Sequence, residues 1–350
     1  MLSDNPFLQL VPARAKTYRR HIETLVWGPP VSLKAEWTGC GPDHLAFREA
    51  AAKKRTPVKK PFYWGNEYDQ AWFRLEIPSA VRGGPWFFEW KDQGEATAYV
   101  DGVPWAGLDR IHHTCRIPES ARHIWVEALC LDRGIWNPGA RSVVTADGCP
   151  FRGAAARERD DEAWNALHDF EVLLNLLESE HRSLPDSEKP FGAPVGYQPP
   201  LDRASPLYRR LSRHLERAMD AFAEGGVPAM RTSLKRAYRD LSGRPEFVRC
   251  RLTGHAHIDL VWMWTEAAAE FKAVHTFSTM NRLMDEYPEF RFGYSQPASY
   301  RAVERRAPEL MKQVRRRIER GVWEPVGAAE VEFDTQMPCG EALARGLVVG

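Results

Sequence analysis

The chain has 350 residues, of which 43% are hydrophobic and 27% charged, and its formal net charge is +1. That length accommodates two or three domains of roughly 100–200 residues each. The near-neutral balance supplies no global field to draw in nucleic acid or an anionic membrane. No stretch reaches the roughly 18 apolar residues of a membrane span.

The N-terminus, MLSDNPFLQLVPARAKTYRR, does not read as a secretory leader. Asp4, Asn5 and Pro6 come first, and the apolar run breaks at Pro12. Six cysteines (Cys40, Cys115, Cys130, Cys149, Cys250 and Cys339) are scattered and form no CxxC. Such scatter fits free thiols in a reducing compartment rather than a disulfide framework. The cytoplasm is the expected location.

From the N-terminus to about residue 150 the chain is β-rich. AWFRLEI (71–77), PWFFEW (85–90), ATAYVDG (96–102) and RHIWVEALCL (122–131) are short runs of aromatic and β-branched residues. Turn chemistry separates them, with Asp101-Gly102 as a tight-turn pair. Strands at about ten-residue spacing predict a β-sandwich. The six tryptophans here (Trp64, Trp72, Trp86, Trp90, Trp105, Trp125) read as core rather than as a sugar-stacking platform. The adjacent His112 and His113 project to opposite faces of a strand and do not share a metal.

The character changes near 160. DDEAWNALHDFEVLLNLLESE (160–180) carries a helical apolar stripe. SEKPFGAPVGYQPP (187–200) is a proline- and glycine-rich connector. Residues 205–225 and 229–243 predict two further helices, each ending near a glycine.

From about 246 the order becomes β-α-β-α-β. Strands are expected at 246–257, 290–295 and 323–333, and helices at 265–287 and 298–321, the second kinked at Pro308. RRRIER (315–320), the densest basic run, lies in that second helix and reads as a solvated face. This order predicts a parallel sheet with crossover helices, where function gathers at the carboxyl ends of the strands.

Two motifs fall at those ends. GHAHID (254–259) sets His255, His257 and Asp259 at alternate positions, which face one way in an extended chain. Imidazole nitrogen plus carboxylate oxygen suits zinc, while a locally polar strand end is the other reading. EVEFDTQMPCGEAL (330–343) sets Glu330, Glu332 and Asp334 at alternate positions after the third strand. Carboxylates there fit acid/base or nucleophilic work, or a solvated strand exit. His275, within a helix, reads as a packed or surface residue. Cys339 lacks a nearby base and is given no catalytic role.

The run from GHAHIDLVWMWTE through FSTMNRLMDEYPEFRFGYSQPASY to ERGVWEPVGAAEVEFDTQMPCGEALARGLVVG resembles glycoside hydrolase family 38, the retaining α-mannosidases. The resemblance is closest to members with a β-rich domain ahead of the catalytic one. It implies a multi-domain chain: an N-terminal β-sandwich (1–155), a helical connector (156–245), and the first strands and helices of a seven-stranded α/β barrel (246–350). It implies one zinc ion, with His257, Asp259 and Asp334 as ligands. Asp334 doubles as the catalytic nucleophile, and His255 stands behind the ligands. The substrate it implies is a mannose-containing oligosaccharide or glycan.

Ala329, Glu330 and Gln336 depart from the family pattern beside the nucleophile and bear on substrate preference. The resemblance also places a fourth zinc ligand, a histidine, and an acid/base aspartate further along than Gly350. On that expectation this stretch is an incomplete barrel without activity of its own, with an open sheet edge at which it can self-associate. Two alternatives stand beside it. One is another metal-dependent hydrolase with an H-x-H strand. The other is a carbohydrate-binding fragment without activity.

Overall fold

The computed structural model describes residues 10–92, 94–131, 147–182, 205–242, 250–327 and 329–350. The chain divides into two compact units that do not follow chain order. Residues 1–29 join 158–249, and residues 30–157 join 250–350. Among the described residues, no helix is long and apolar enough to cross a membrane.

The first unit contains α1 (Val11–Val26), absent from the sequence expectation. Pro12, read there as a break, sits in the helix's first turn. Proline is tolerated at that point because the N–H it lacks has no intrahelical partner anyway. Val11, Ala15, Ile22 and Val26 form the buried stripe of α1.

The second unit begins with β1 (Val31–Ser32), β2 (Ala35–Gly41), the short α2 (Phe47–Ala52), β3 (Thr56–Pro57), β4 (Phe62–Trp64) and β5 (Gln70–Glu76). It continues with β6 (Trp86–Asp92), β7 (Glu95–Val100), β8 (Val103–Leu108), β9 (Thr114–Arg116), β10 (His123–Leu129) and β11 (Cys149–Glu158). One sheet has the order β3-β2-β5-β10-β7-β8, and the other runs β1-β11-β6-β9 with β4 on β11. This is the expected sandwich.

The β7–β8 hairpin turns at Asp101 (φ 51°) and Gly102 (φ 79°). Positive φ at both central residues is the tight turn that Asp-Gly favours. Phe73, fully buried, lies 5.2 Å from the rings of both Trp90 and Phe151. Trp64, Trp72 and Trp90 are buried, and Trp86, Trp105 and Trp125 pack against core clusters. The tryptophans are therefore core, as their alternation implies.

Helices α3 (Asp161–Arg182) and α4 (Pro206–Leu241) pack with α1 in the first unit. The two helices expected in 205–243 are the two halves of α4, separated at Gly225 and Gly226, whose backbones are non-helical. Gly226 takes φ 65°, a conformation that costs glycine little. The connector at 187–200 lies outside the described residues.

The rest of the second unit is β12 (Gly254–His255), α5 (Glu266–Glu286), β13 (Phe292–Tyr294), α6 (Pro297–Arg306), α7 (Pro308–Glu319), β14 (Trp323–Pro325) and α8 (Gly340–Val349). Thr265 caps α5, its hydroxyl accepting from the Ala268 amide at 3.2 Å. The helix expected at 298–321 is two helices divided at Ala307-Pro308.

Strands β12, β13 and β14 form a parallel three-stranded sheet, with His255 opposite Gly293 and Gly293 opposite Glu324. The described strands close no barrel. All three are shorter than the sequence pattern suggests, β12 and β14 most of all. β12 pairs over Gly254 and His255 alone, and residues 246–249 lie outside the described part. β14 ends at Pro325, which has no N–H to extend the ladder, and Gly327 at φ 81° turns the chain away. Phe277, Phe292, Tyr294 and Trp323 fill the core behind the sheet.

The sandwich and this α/β part share one unit through a built interface. Leu129 and Leu131 pack with Trp264, Ala268, Ala269 and Phe271. Buried Glu127 accepts hydrogen bonds from Gln70 (2.6 Å), Tyr99 (2.7 Å) and Arg306 (2.8 Å). His275 proves to be a packed residue, with Nε2 3.3 Å from the Leu108 carbonyl and a pKa lowered by burial.

Candidate active site at the strand ends

The three parallel strands deliver their following segments to one end of the sheet. His255 ends β12, and its Nδ1–H donates to the Gly293 carbonyl of β13 at 3.0 Å. A carbonyl only accepts, so that bond fixes the tautomer and turns the ring toward the neighbouring strand.

Beyond β12 the chain leaves regular structure but is held by side chains. Gln296 Nε2 donates to the Ile258 carbonyl at 2.9 Å, and Trp264 Nε1 donates to the Asp259 carbonyl at 2.8 Å. Tyr68 of the sandwich donates to the Met263 carbonyl. Gln296 is buried and holds φ 62°, an uncommon backbone conformation for a residue other than glycine. Ile258 points into the core, so its two neighbours in sequence face outward.

Those neighbours are His257 and Asp259. His257 Nε2 lies 3.2 Å from Asp259 Oδ1, and its Nδ1 pairs with Glu332. The other Glu332 oxygen accepts from the Ser295 hydroxyl. The hydrogen bond to Asp259 raises the His257 pKa, partial burial opposes it, and Glu332 adds to the rise. Glu332 is held below the usual carboxylate range by Ser295 first and by His257 as well, against partial burial. The side chains of His257, Asp259 and Glu332 are 48%, 44% and 38% exposed, so the cluster is open to solute.

Asp334 sits in the turn between β14 and α8, where its Oδ1 accepts from the Gln336 amide at 2.8 Å. Among the described contacts it joins neither His257 nor Asp259. Glu330 pairs with Arg301, and its amide donates to the Gly346 carbonyl at 2.8 Å, which ties α8 down. Cys339 is exposed at the start of α8. His112 pairs with Asp109 at 3.2 Å and is no part of this cluster.

The structure thus brings together His257 and Asp259 from the predicted set. His255 ends β12 and bonds to the Gly293 carbonyl of β13, and Asp334 sits apart, against the Gln336 amide. Sequence reasoning did not assign roles to Ser295, Gln296 and Glu332. Ser295 and Gln296 follow β13 directly, and Glu332 belongs to the alternating carboxylates after β14, so position at a strand's carboxyl end was their signal.

The donor set can be tested against zinc. Two ligands on a tetrahedral zinc, each bonded at about 2.0–2.1 Å, stand about 3.3 Å apart. The 3.2 Å between His257 Nε2 and Asp259 Oδ1 fits that spacing. Among the described residues, no group of three or more His, Cys, Asp or Glu side chains is arranged around a single point. The pair fits the metal, and a third donor is not in place.

The β-sandwich and the parallel α/β part each match a known domain family. Residues 248–350 match the glycosyl hydrolases family 38 N-terminal domain, and residues 29–134 match the alpha-mannosidase jelly roll domain. Over these two stretches the chain is similar to the alpha-mannosidases of family 38.

Alpha-mannosidase 2C1 of Homo sapiens is 27% identical over 327 residues, covering 88% of this chain and 29% of the human protein. Alpha-mannosidase G of Dictyostelium discoideum is 36% identical over 97 residues, 28% of this chain and 9% of that protein. An alpha-mannosidase of Saccharomyces cerevisiae is 36% identical over 98 residues, again 28% of this chain and 9% of the yeast protein. The chain therefore spans less than a third of the length of these relatives.

Proposed function

We propose that this sequence is part of a zinc-dependent retaining α-mannosidase, and that the segments after β12 and β14 carry its nucleophile and part of its metal site. The observation that carries the reading is the His257–Asp259 pair at zinc-ligand spacing, inside the segment that matches family 38. In this reading Asp334 is the third zinc ligand and the nucleophile. When bound, the ion grips sugar hydroxyls and stabilises charge near the anomeric carbon.

The chain's own groups then have distinct tasks. His257 and Asp259 present one nitrogen and one oxygen on a segment clamped by Gln296 and Trp264. The Gln336 amide holds Asp334 Oδ1, which leaves Oδ2 as the attacking atom. Attack of that carboxylate on the anomeric carbon forms a glycosyl ester while the aglycone oxygen leaves with a proton from a second carboxyl group. Water then releases mannose with its configuration retained. The substrate is a mannose-containing glycan or oligosaccharide. The free thiols among the described residues support a reducing compartment such as the cytoplasm.

A sugar-binding role without chemistry is less well supported, because the sandwich tryptophans are occupied in cores. The test uses the natural gene product that carries this sequence, 4-nitrophenyl α-mannoside and added zinc. The expected outcome is turnover with α-mannose as first product by proton NMR, and a loss on the order of 10³-fold or more in Asp334→Asn. Release of β-mannose first, or unchanged turnover in the variant, contradicts the proposal.

A further inference from the structure

The first unit holds a groove that the strand-end site does not use. The two halves of α4 turn at Gly225 and Gly226, and Arg210 donates to the Asp240 carbonyl at 2.6 Å. The halves therefore run antiparallel, with 210 opposite 240. A groove of about 330 Å³ lies between them. His214, Arg217 and Glu224 lie on one wall, and Ser233 and Arg236 on the other. Each set is at helical spacing. Ala221 and Ala229 are small enough to leave the space open. Gly225 lets the walls meet at the turn, since a Cβ there would stand 2.8 Å from that of Ala229.

Charge is unevenly spread along this groove. The 210–240 register sets His214 opposite Arg236 and Arg217 opposite Ser233, and it leaves Glu224 beside the turn. Asp220 also lines the groove but is paired with Arg14 of α1 at 2.6 Å. Among the described residues, Arg217 and Arg236 make no ion pair. His214 is only 8% exposed, and among the described residues its ring makes no hydrogen bond. Burying an imidazole without a partner is costly. Burial lowers the His214 pKa, opposed by Asp240 and reinforced by Arg217, Arg210 and Arg213. The neutral ring keeps one N–H to donate.

We propose that this groove binds a phosphate monoester of a small polyhydroxylated molecule, with the phosphate between Arg217, Arg236 and His214 and the hydroxyl groups toward Glu224.

The assignment follows from donors and acceptors. Guanidinium groups match phosphate oxygens in geometry and charge, and a neutral imidazole adds a third donor. A carboxylate only accepts, so the part of the ligand beside Glu224 must donate, as hydroxyl groups do. Arg217 and Glu224 are seven residues apart, about 10 Å along the helix. A bare phosphate ion would leave most of the groove to water, whereas a groove of this volume falls at the lower end of the roughly 300–1,000 Å³ of small-molecule sites.

A solvated basic helix face is the competing account. Arg213, also on α4, lies outside the groove. If attraction depended on charge alone, Arg213 would count as much as Arg217, and His214 would have no part in it.

The test titrates the 350-residue chain with glucose 6-phosphate, inorganic phosphate and glucose by calorimetry, at about 0.15 M salt. Glucose 6-phosphate should bind with a Kd of about 1 mM or tighter. Inorganic phosphate should bind roughly tenfold more weakly, and glucose should give no heat. Arg217→Ala and Arg236→Ala should each weaken binding roughly tenfold or more, while Arg213→Ala, the same change of charge outside the groove, leaves it unchanged. Both lining arginines are exposed, and circular dichroism should show the same fold in every variant. Histidine NMR, with the His214 signals assigned through His214→Gln, supplies a second readout. The His214 pKa should rise when the ligand binds, because a bound dianion favours the charged ring.

No binding of glucose 6-phosphate, or equal binding of inorganic phosphate, overturns the inference. So does an equal loss in Arg213→Ala, or binding that leaves the His214 titration unmoved.

Discussion

The sandwich and the α/β part share one compact unit but are built to different specifications. Strands β5, β6, β7 and β10 run for six or seven residues and are mostly buried, and β11 runs for ten. Strands β12, β13 and β14 run for two or three residues, and the side chains after β12 and β14 stand open to solvent. Stability is concentrated in the first region and reactive groups in the second. Binding and catalytic groups gather on irregular segments that a rigid scaffold holds in place. Here Gln296, Trp264 and Tyr68 supply the holding.

The contrast breaks most visibly in the sandwich core. Phe73→Ala removes a ring enclosed by Phe62, Trp64, Trp90 and Phe151. The expected loss is about 3–5 kcal/mol in urea unfolding. Asp334→Asn, on the exposed side of the contrast, should move the same transition by less than about 0.5 kcal/mol. Equal effects at the two sites remove the distinction between scaffold and site.

Gln296 sharpens the comparison at intermediate size. Gln296→Ala keeps the left-handed backbone and loses the hydrogen bond to Ile258. Gln296→Gly loses the same bond and relieves the backbone. The glycine variant should be more stable than the alanine variant by about 1 kcal/mol. Amide exchange should quicken around residues 257–259 in both. Equal stability of the two variants shows that φ at this position stores no strain.

The smallest effect belongs to Asp109 in the sandwich. Burial alone raises its pKa, but the amides of His112 and Ile111 bring it down to about 2 from an ordinary 3.8. A folded value below the unfolded one stabilises the native state above about pH 4, and that contribution fades as pH falls toward 2. Asp109→Asn should flatten the acid limb of the stability curve by no more than about 1 kcal/mol after solvent screening. An unchanged limb sets the Asp109 turn aside as a source of acid sensitivity.

What was legible in the sequence was local chemistry. Asp101-Gly102 specified a hairpin, Thr265 a helix start and Pro308 a helix break, and each works through its own backbone. The H-x-H-x-D alternation likewise located the strand end and two of its outward groups. Helix α1 escaped notice because Pro12 reads as a breaker until its first-turn position is known. The lengths of β12 and β14 depend on their neighbours, which no single segment encodes. The Glu332–His257 contact and the Asp334 turn depend on how strand ends meet, so residue type alone could nominate them but not assign their partners.

The central claim is that His257, Asp259 and Asp334 hold one zinc ion. Anomalous diffraction at the zinc edge, on crystals of the 350-residue chain grown with zinc, tests it directly. The account predicts a single strong peak about 2.0–2.2 Å from His257 Nε2 and from one oxygen each of Asp259 and Asp334. A peak on other side chains, or one at the His257–Asp259 pair with no Asp334 oxygen within bonding distance, would contradict it.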